Sequence, residues 1–391
     1  MKLNLGVIYG GPSTEHDISI ISAVQAMNNI DTEKYKIIPL YLSKDSIIYT
    51  GEDLLKMESY RNLEELERNS TRVYFTKKDG EYVLYKDSFF HKIIDKIDIV
   101  LPIMHGYNTE DGTIAGFLET LGIPYAESDI YASVIAQDKV YQKEILKGAG
   151  INVVDYVYFY DYEYINNPDA ILKKVTSNLK YPVIIKPARQ GSSIGISIAK
   201  DKNSLISAIE DAINYDEKIL VEKVITNMTE LNCSVLGNNG DYEASLIEQV
   251  YGSDEILSFK DKYMSSSSSK KGGSKGMAST GRKIPADIPN KTTKQIEDMS
   301  IKACYALNTS GVVRIDYLMD KDTNDVYLNE INITPGSLSF YLWDPKGTKY
   351  KELLNKIIDC GIKKYKKKKM KTSSFTTNVL ASFKGSKGVK K

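Results

Sequence analysis

"VVRIDYL" at residues 312–318, followed by "YLNEINITPGSLSFYLW" at residues 327–343, is the stretch on which the fold turns. Both segments read as strands, with apolar and polar residues alternating at a period of two. That alternation puts Arg314 and Asp316 on one face of the first strand, and Glu330 and Asn332 on one face of the second. If the two strands pair antiparallel, one acid from the first meets an acid and an amide from the second. Hard oxygen groups in that number suit a Mg²⁺ ion whose shell is completed by substrate phosphates. Arg314 would then reach a transferring phosphoryl group or a developing oxyanion. The Pro335-Gly336 turn follows at once and offers a backbone N–H with no side chain in the way. A solvated surface ladder is the other reading of the same pattern.

Three further stretches bear on the chemistry. In "YPVIIKPARQGSSIGISI" (residues 181–198) a strand delivers Lys186, and a loop holding Gly191, Ser192 and Ser193 returns at once to a second strand. A Walker loop must open a helix, so this is a Gly-rich hairpin, either a plain turn or a lid over phosphates with Lys186 as point charge. In "YGGPSTEHDISI" (residues 9–20) a strand ends in two glycines, and Thr14-x-x-Asp17 predicts a capping box at a helix start. A helix N-terminus at the carboxyl edge of an open sheet welcomes a carboxylate or phosphate. Glu15 there either complements the helix dipole or holds a substrate ammonium. In "IMHGYNTEDGTIAGFLE" (residues 103–119), His105, one of three histidines, follows an apolar strand. It is a hydrogen-bonded structural residue or a site residue, and position alone assigns it no proton transfer.

The 391 residues exceed one compact core and suggest several domains. Residues 1–128 alternate strand-like and helix-like segments, predicting an α/β domain with a parallel sheet. Residues 129–222 predict a small α+β unit that opens with a helix over 133–148, and residues 223–372 predict a second one. "SSSSSKKGGSKGMASTG" (residues 265–281) is polar and low in complexity, and reads as a mobile loop. The Lys run at 363–371 is a solvated helix end or a surface for acidic partners, with a basic tail at 373–391. With 52 basic against 51 acidic residues, no global field recruits nucleic acid or a membrane surface. No run is long enough to span a bilayer, no secretory pattern leads the chain, and the three cysteines form no C-x-x-C pair, which together place it in the cytoplasm.

The motifs "GGPSTEHDIS", "HGYNTEDG", "KPARQGSSIG", "DKYMS", "RIDY" and "NEINITPG" occur in the order and approximate spacing of D-alanine:D-alanine ligases. Over about residues 1–360 the chain resembles that family, part of the ATP-grasp superfamily. The resemblance implies a three-domain ATP-grasp fold with a Rossmann-like first domain. It also implies ATP between the central and C-terminal domains, two Mg²⁺ ions (or Mn²⁺) on its phosphates, and a homodimer. Carried over by motif, Lys139, Lys186 and Ser193 resemble phosphate contacts, and Glu222 and Glu230 resemble adenosine-side contacts. Asp316, Glu330 and Asn332 resemble metal ligands. Glu15, with Ser192 and Tyr263, resembles the group that receives the first D-alanine, and Arg314 and the Gly336 N–H resemble the oxyanion donors. His105, Lys262, Tyr341 and Leu342 fall at substrate-binding positions, Lys262 and Tyr263 within a lid over 260–281.

The implied activity is ATP-dependent ligation of two D-alanines through an acylphosphate, for peptidoglycan precursors. Two departures stand out. Thr109 occupies a usual glycine position, and Tyr341 stands where the family commonly has the serine that binds the acceptor's carboxylate. D-Serine or another small acceptor is therefore the nearest alternative, while Tyr263, in place of histidine, favours an amine acceptor. A non-catalytic ATP-binding protein of the same fold would not need three metal-ligand candidates. A dinucleotide-binding dehydrogenase lacks its glycine fingerprint here.

Overall fold

The computed structural model of the chain describes residues 2–251 and 281–372. Its first sheet holds β1 (Leu3–Gly10), β2 (Tyr35–Leu42), β3 (Ile48–Thr50), β4 (Thr71–Lys78), β5 (Glu81–Lys86), β6 (Ile93–Ile97) and β7 (Ile99–Ile103), in the order β6-β5-β4-β3-β2-β1-β7. β1 runs parallel to both of its neighbours, as the strand and helix alternation predicts. From β2 outward every pairing is antiparallel. The connections explain the change. β1 reaches β2 through the helix His16–Met27, whereas β4 and β5 are joined by Asp79-Gly80, both at positive φ, and so tight a turn joins only antiparallel strands.

The second sheet, β8 (Tyr156–Tyr160), β9 (Val183–Pro187), β10 (Ser197–Ala199) and β11 (Lys218–Lys223), is antiparallel in the order β10-β9-β11-β8. The third contains β12 (Met228–Asn238), β13 (Asp241–Tyr251), β14 (Gly281–Lys283), β15 (Gly311–Asp320) and β16 (Val326–Asn332), ordered β14-β13-β12-β15-β16. β15 and β16 pair antiparallel, with Arg314 opposite Asn332 and Asp316 opposite Glu330.

The helix predicted over 133–148 is two helices, Ile130–Gln137 and Lys139–Gly148. Asp138 breaks the run because its carboxylate accepts the Val140 and Tyr141 N–H groups and caps the second helix. These helices precede the second sheet, yet Ala136 and Leu146 belong to the core of the third. The segment expected to open the central unit is therefore packed on the C-terminal one.

The last described helix, Tyr350–Lys369, lies against the first domain. Leu353, Leu354, Ile357 and Ile358 share a core with Leu5, Val7, Ile20 and Val24, each contributing about 1.5–3 kcal/mol by burial. A Cβ on Gly361 would fall 2.6 Å from Ala126 Cα, so the helix can approach this closely only as glycine. The Lys run is less solvated than its sequence suggests. Lys364 hydrogen-bonds the Glu127 carbonyl and sits 3.6 Å from the Tyr125 ring centre, and Lys368 pairs with Glu119 at 2.5 Å. Among the described residues no helix is long and apolar enough to cross a membrane.

Candidate active site

Strand register lines up polar side chains in rows across the third sheet. Glu248 on β13, Asn232 on β12, Asp316 on β15 and Glu330 on β16 are successive cross-strand neighbours. Ser234, Arg314 and Asn332 form the next row. Arg314 donates to Asp316 through Nε at 2.6 Å and Nη2 at 2.7 Å, and Asn332 Nδ2 adds a third bond at 3.1 Å. Burial opposes charge on Arg314, but Asp316 beside it keeps the guanidinium firmly protonated. A bulge leaves Asn329 outside the ladder, and its Oδ1 accepts from Lys186 at 3.3 Å. Strict alternation hides Asn329, because it assigns the residue to the opposite face from Glu330.

The lysines reach this floor from the second sheet and from a helix start. Lys139 donates to the Gln190 carbonyl at 2.6 Å and lies 4.0 Å from Glu330 Oε2. Lys186, on β9, pairs with Glu222 at 2.6 Å. Glu222, expected beside the adenosine, is only 3% exposed, and its carboxylate is enclosed by Lys186 and, at 2.7 Å, by Lys143. Burial would raise this carboxyl, but the two ammonium groups hold it at about 2. No motif in the sequence marks Lys143, although it stands one helical turn after Lys139. Ser192 and Ser193, in the hairpin between β9 and β10, both have positive φ. Glu230 precedes Asn232 and Ser234 on the same face of β12.

Glu15 faces the same hairpin. A Cβ on either Gly106 or Gly191 would come within 2.8 Å of its Oε2, so two glycines make the room for this carboxylate, and Ser192 Oγ hydrogen-bonds Oε1. The predicted Thr14 capping box does not form. The helix starts at His16 with no side-chain cap, and Ser13 instead accepts the Glu15 N–H at 3.1 Å and donates to the His105 carbonyl at 2.7 Å. Glu110 stands nearby, its carboxyl pushed well up by burial and then by the charge of Glu15. Thr109, the departure from glycine, is buried and donates its hydroxyl to the carbonyls of His105 and Gly106. His105 itself is buried, with Nε2 3.0 Å from Ser22 Oγ, and burial lowers its imidazole to about 4. It stays neutral at physiological pH.

At the other end of the row, Glu248 accepts from Asn232 at 3.1 Å and from Tyr341 at 3.2 Å, and pairs with Arg282 at 3.3 Å. Arg282 also stacks over the Tyr341 ring, 5.0 Å from its centre. Leu342 is fully buried, and its side chain belongs to a core shared by the first domain and the C-terminal one. Between the two ends lies the Pro335-Gly336 turn. Ser337, Leu338 and Ser339 follow it at φ 51°, 51° and 53°, a left-handed run costing roughly 1–2 kcal/mol per residue. Among the described residues a Cβ on Gly336 would meet nothing within 4 Å. Lys262, Tyr263 and the lid expected over 260–281 lie outside the described residues, Gly281 excepted.

Family profiles described as the D-ala D-ala ligase N-terminus and C-terminus match residues 4–128 and 145–359. The chain belongs to the D-ala D-ala ligase family. A D-alanine–D-alanine ligase of Acetivibrio thermocellus is 37% identical over 380 residues, covering 93% of this chain and 97% of the relative. Among solved structures, the VanG D-Ala:D-Ser ligase of Enterococcus faecalis matches with a TM-score of 0.75 at 29% identity, over 92% of this chain and 100% of that one. The D-alanine–D-alanine ligase of Bacillus anthracis complexed with ATP matches with a TM-score of 0.64 at 25% identity, over 94% and 99%. For a ligase of this family, the donor chemistry of the cleft fits a hard divalent cation. Two carboxylates and an amide converge, and each carboxylate oxygen has two lone-pair sites, so Asp316 can accept from Arg314 and still face an ion.

Proposed function

We propose that this chain joins two D-alanine molecules at the expense of ATP, giving D-alanyl-D-alanine, ADP and phosphate for peptidoglycan precursor synthesis. The observation that carries the reading is the convergence of Asp316, Glu330 and Asn332 with Lys139 and Lys186 on one side of a cleft whose other side holds Glu15. Asp316, Glu330 and Asn332 would hold magnesium, in two ions by analogy with the family, and manganese has the same donor preference. Magnesium bound with the ATP phosphates neutralises charge on the transferring phosphoryl group.

The chain's own residues do the rest. Lys139 and Lys186 bring ammonium groups to the phosphates, and the N–H groups of Ser192 and Ser193 cover them from the hairpin. Glu222 acts through Lys186 and Lys143, fixing both, while Glu230 takes the nucleoside end. Glu15, held by Ser192, receives the first D-alanine's ammonium and leaves its carboxylate toward the γ-phosphoryl group. Transfer gives an acylphosphate and ADP. The second D-alanine's amine then attacks the acyl carbonyl, and phosphate leaves. Arg314 and the Gly336 N–H stabilise the oxyanion that forms between these events. By analogy with the family we place the reaction in the cytoplasm and expect a homodimer.

A second acceptor is favoured by one feature. Tyr341, engaged with Glu248, changes the acceptor end of the cleft, and a D-Ala:D-Ser ligase is among the similar structures. Phosphate release with ATP and Mg²⁺ against single amino acids and pairs, with mass analysis of products, tests both readings. Turnover on D-alanine alone supports the dipeptide ligase. Turnover only with a mixed pair assigns a different acceptor, and background release with every substrate overturns the ligase reading.

A further inference from the structure

Two buried groups of the N-terminal half hold a turn of the C-terminal one. Ser22, in the helix His16–Met27, is 1% exposed, and its Oγ accepts the Ser337 N–H at 3.1 Å. The same oxygen meets His105 Nε2 at 3.0 Å. Glu127, which follows β7 and is 5% exposed, accepts the Thr334 hydroxyl through Oε1 at 2.8 Å. Among the described residues its other oxygen is buried without a hydrogen-bond partner, so the Thr334 contact is the hydrogen bond this side chain makes there. Burial pushes its carboxyl up to about 7.

Thr334 and Ser337 flank Pro335-Gly336, so the turn is gripped at both ends by residues that precede it by some 200–300 positions. The grip has a reason. Three consecutive left-handed L-residues follow Gly336, and such a conformation persists only where its surroundings over-determine it. We propose that Ser22 and Glu127 are positioning residues that aim the Gly336 N–H at the reacting carbonyl, an inference that rests on the ligase reading above. A preorganised donor acts through its aim, and a small misplacement can cost as much as about 10²-fold in rate. Neither side chain needs to touch substrate for this.

The test compares Ser22→Ala, Glu127→Ala and Glu127→Gln with the full-length wild type. Three quantities are read: kcat and KM with D-alanine, positional ¹⁸O exchange within ATP, and thermal unfolding. The isotope exchange reports acylphosphate formation without the second amine. Ser22→Ala and Glu127→Ala should lower kcat by about tenfold or more, with KM for ATP within about twofold and isotope exchange retained. Glu127→Gln keeps an Oε1 acceptor for Thr334 and should stay within about threefold of wild type. Unchanged kcat in Ser22→Ala and Glu127→Ala overturns the proposal, as does isotope exchange that falls in step with kcat, or a Gln variant as slow as the Ala one. Should Glu127→Ala unfold, Ser22→Ala decides alone, since alanine suits its helical site. A wild type inactive on D-alanine sinks the ligase reading itself, whereas an active wild type with unaffected variants sinks only this inference.

Discussion

Arg314 clasps Asp316 from two residues away on the same strand, with one nitrogen on each carboxylate oxygen at 2.6 and 2.7 Å. The pleat puts both side chains on one face, and the planar fork of a guanidinium matches a carboxylate at two points. The acid is thereby aimed at the cleft while the cation is fixed beside it. Lysine offers a single point charge and cannot reproduce this. Arg314→Lys should lower kcat by about 10²–10³ and raise the Mg²⁺ concentration needed for half-maximal rate. Phosphate release titrated with Mg²⁺ checks both, and a rate within threefold of wild type would contradict the assignment.

Among the described residues a methyl on Gly336 meets nothing within 4 Å, so it should leave stability within about 0.5 kcal/mol. If its N–H is the oxyanion donor proposed above, the methyl would stand in the path of the substrate carbonyl. Gly336→Ala should therefore combine an unchanged thermal midpoint with a kcat reduced at least tenfold. Full activity would show that the turn does not face the reacting carbon.

Tyr341 hydrogen-bonds Glu248 at 3.2 Å, and on the assignment proposed above it would fill the acceptor end of the cleft. Tyr341→Ser removes the ring, leaves Glu248 to Asn232 and Arg282, and opens the pocket. The ratio of kcat/KM for D-serine to that for D-alanine as acceptor should rise severalfold. An unchanged acceptor ranking would remove Tyr341 from specificity.

Glu222 lies near 2, against an ordinary value of 4.5. Its depressed pKa means the unfolded chain binds the proton first. The stability it contributes is thus complete above about pH 4.5 and is lost as the pH falls toward 2. Lys143→Met strips one of its two partners. Denaturant unfolding followed against pH should show lower stability at neutral pH, with about 3–5 kcal/mol as the ceiling for stranding a buried charge, and acid unfolding at a higher pH. An acid transition that does not move would mean that Lys186 alone sustains the carboxylate.

The pairing of β15 with β16, the hairpin carrying Lys186, and the approach of Glu15 to that hairpin were legible because each rests on short-range pattern or on motif. What escaped was set by tertiary context. Asn329 depends on a bulge, which breaks the period on which strand reading relies. Thr14 has the spacing of a cap, but Ser13 takes the Glu15 N–H and is itself tied to the distant His105 carbonyl. The enclosure of Glu222 needs Lys143 from a helix and Lys186 from a strand, and only the folded chain brings those together. The split of the 133–148 helix was visible in principle, since Asp138 is a strong N-cap residue standing inside an apolar run.

The helix Tyr350–Lys369 completes the core of the domain that begins at β1. During synthesis, Leu5, Val7, Ile20 and Val24 emerge some 330 residues before the Leu353 to Ile358 side chains that share their core. At roughly 5–20 residues per second, that shared core stays incomplete for tens of seconds on the ribosome. The core therefore gains its last apolar members only once residue 358 has been made. Truncation before residue 350 should therefore expose apolar surface on a domain that begins at the opposite end of the polypeptide.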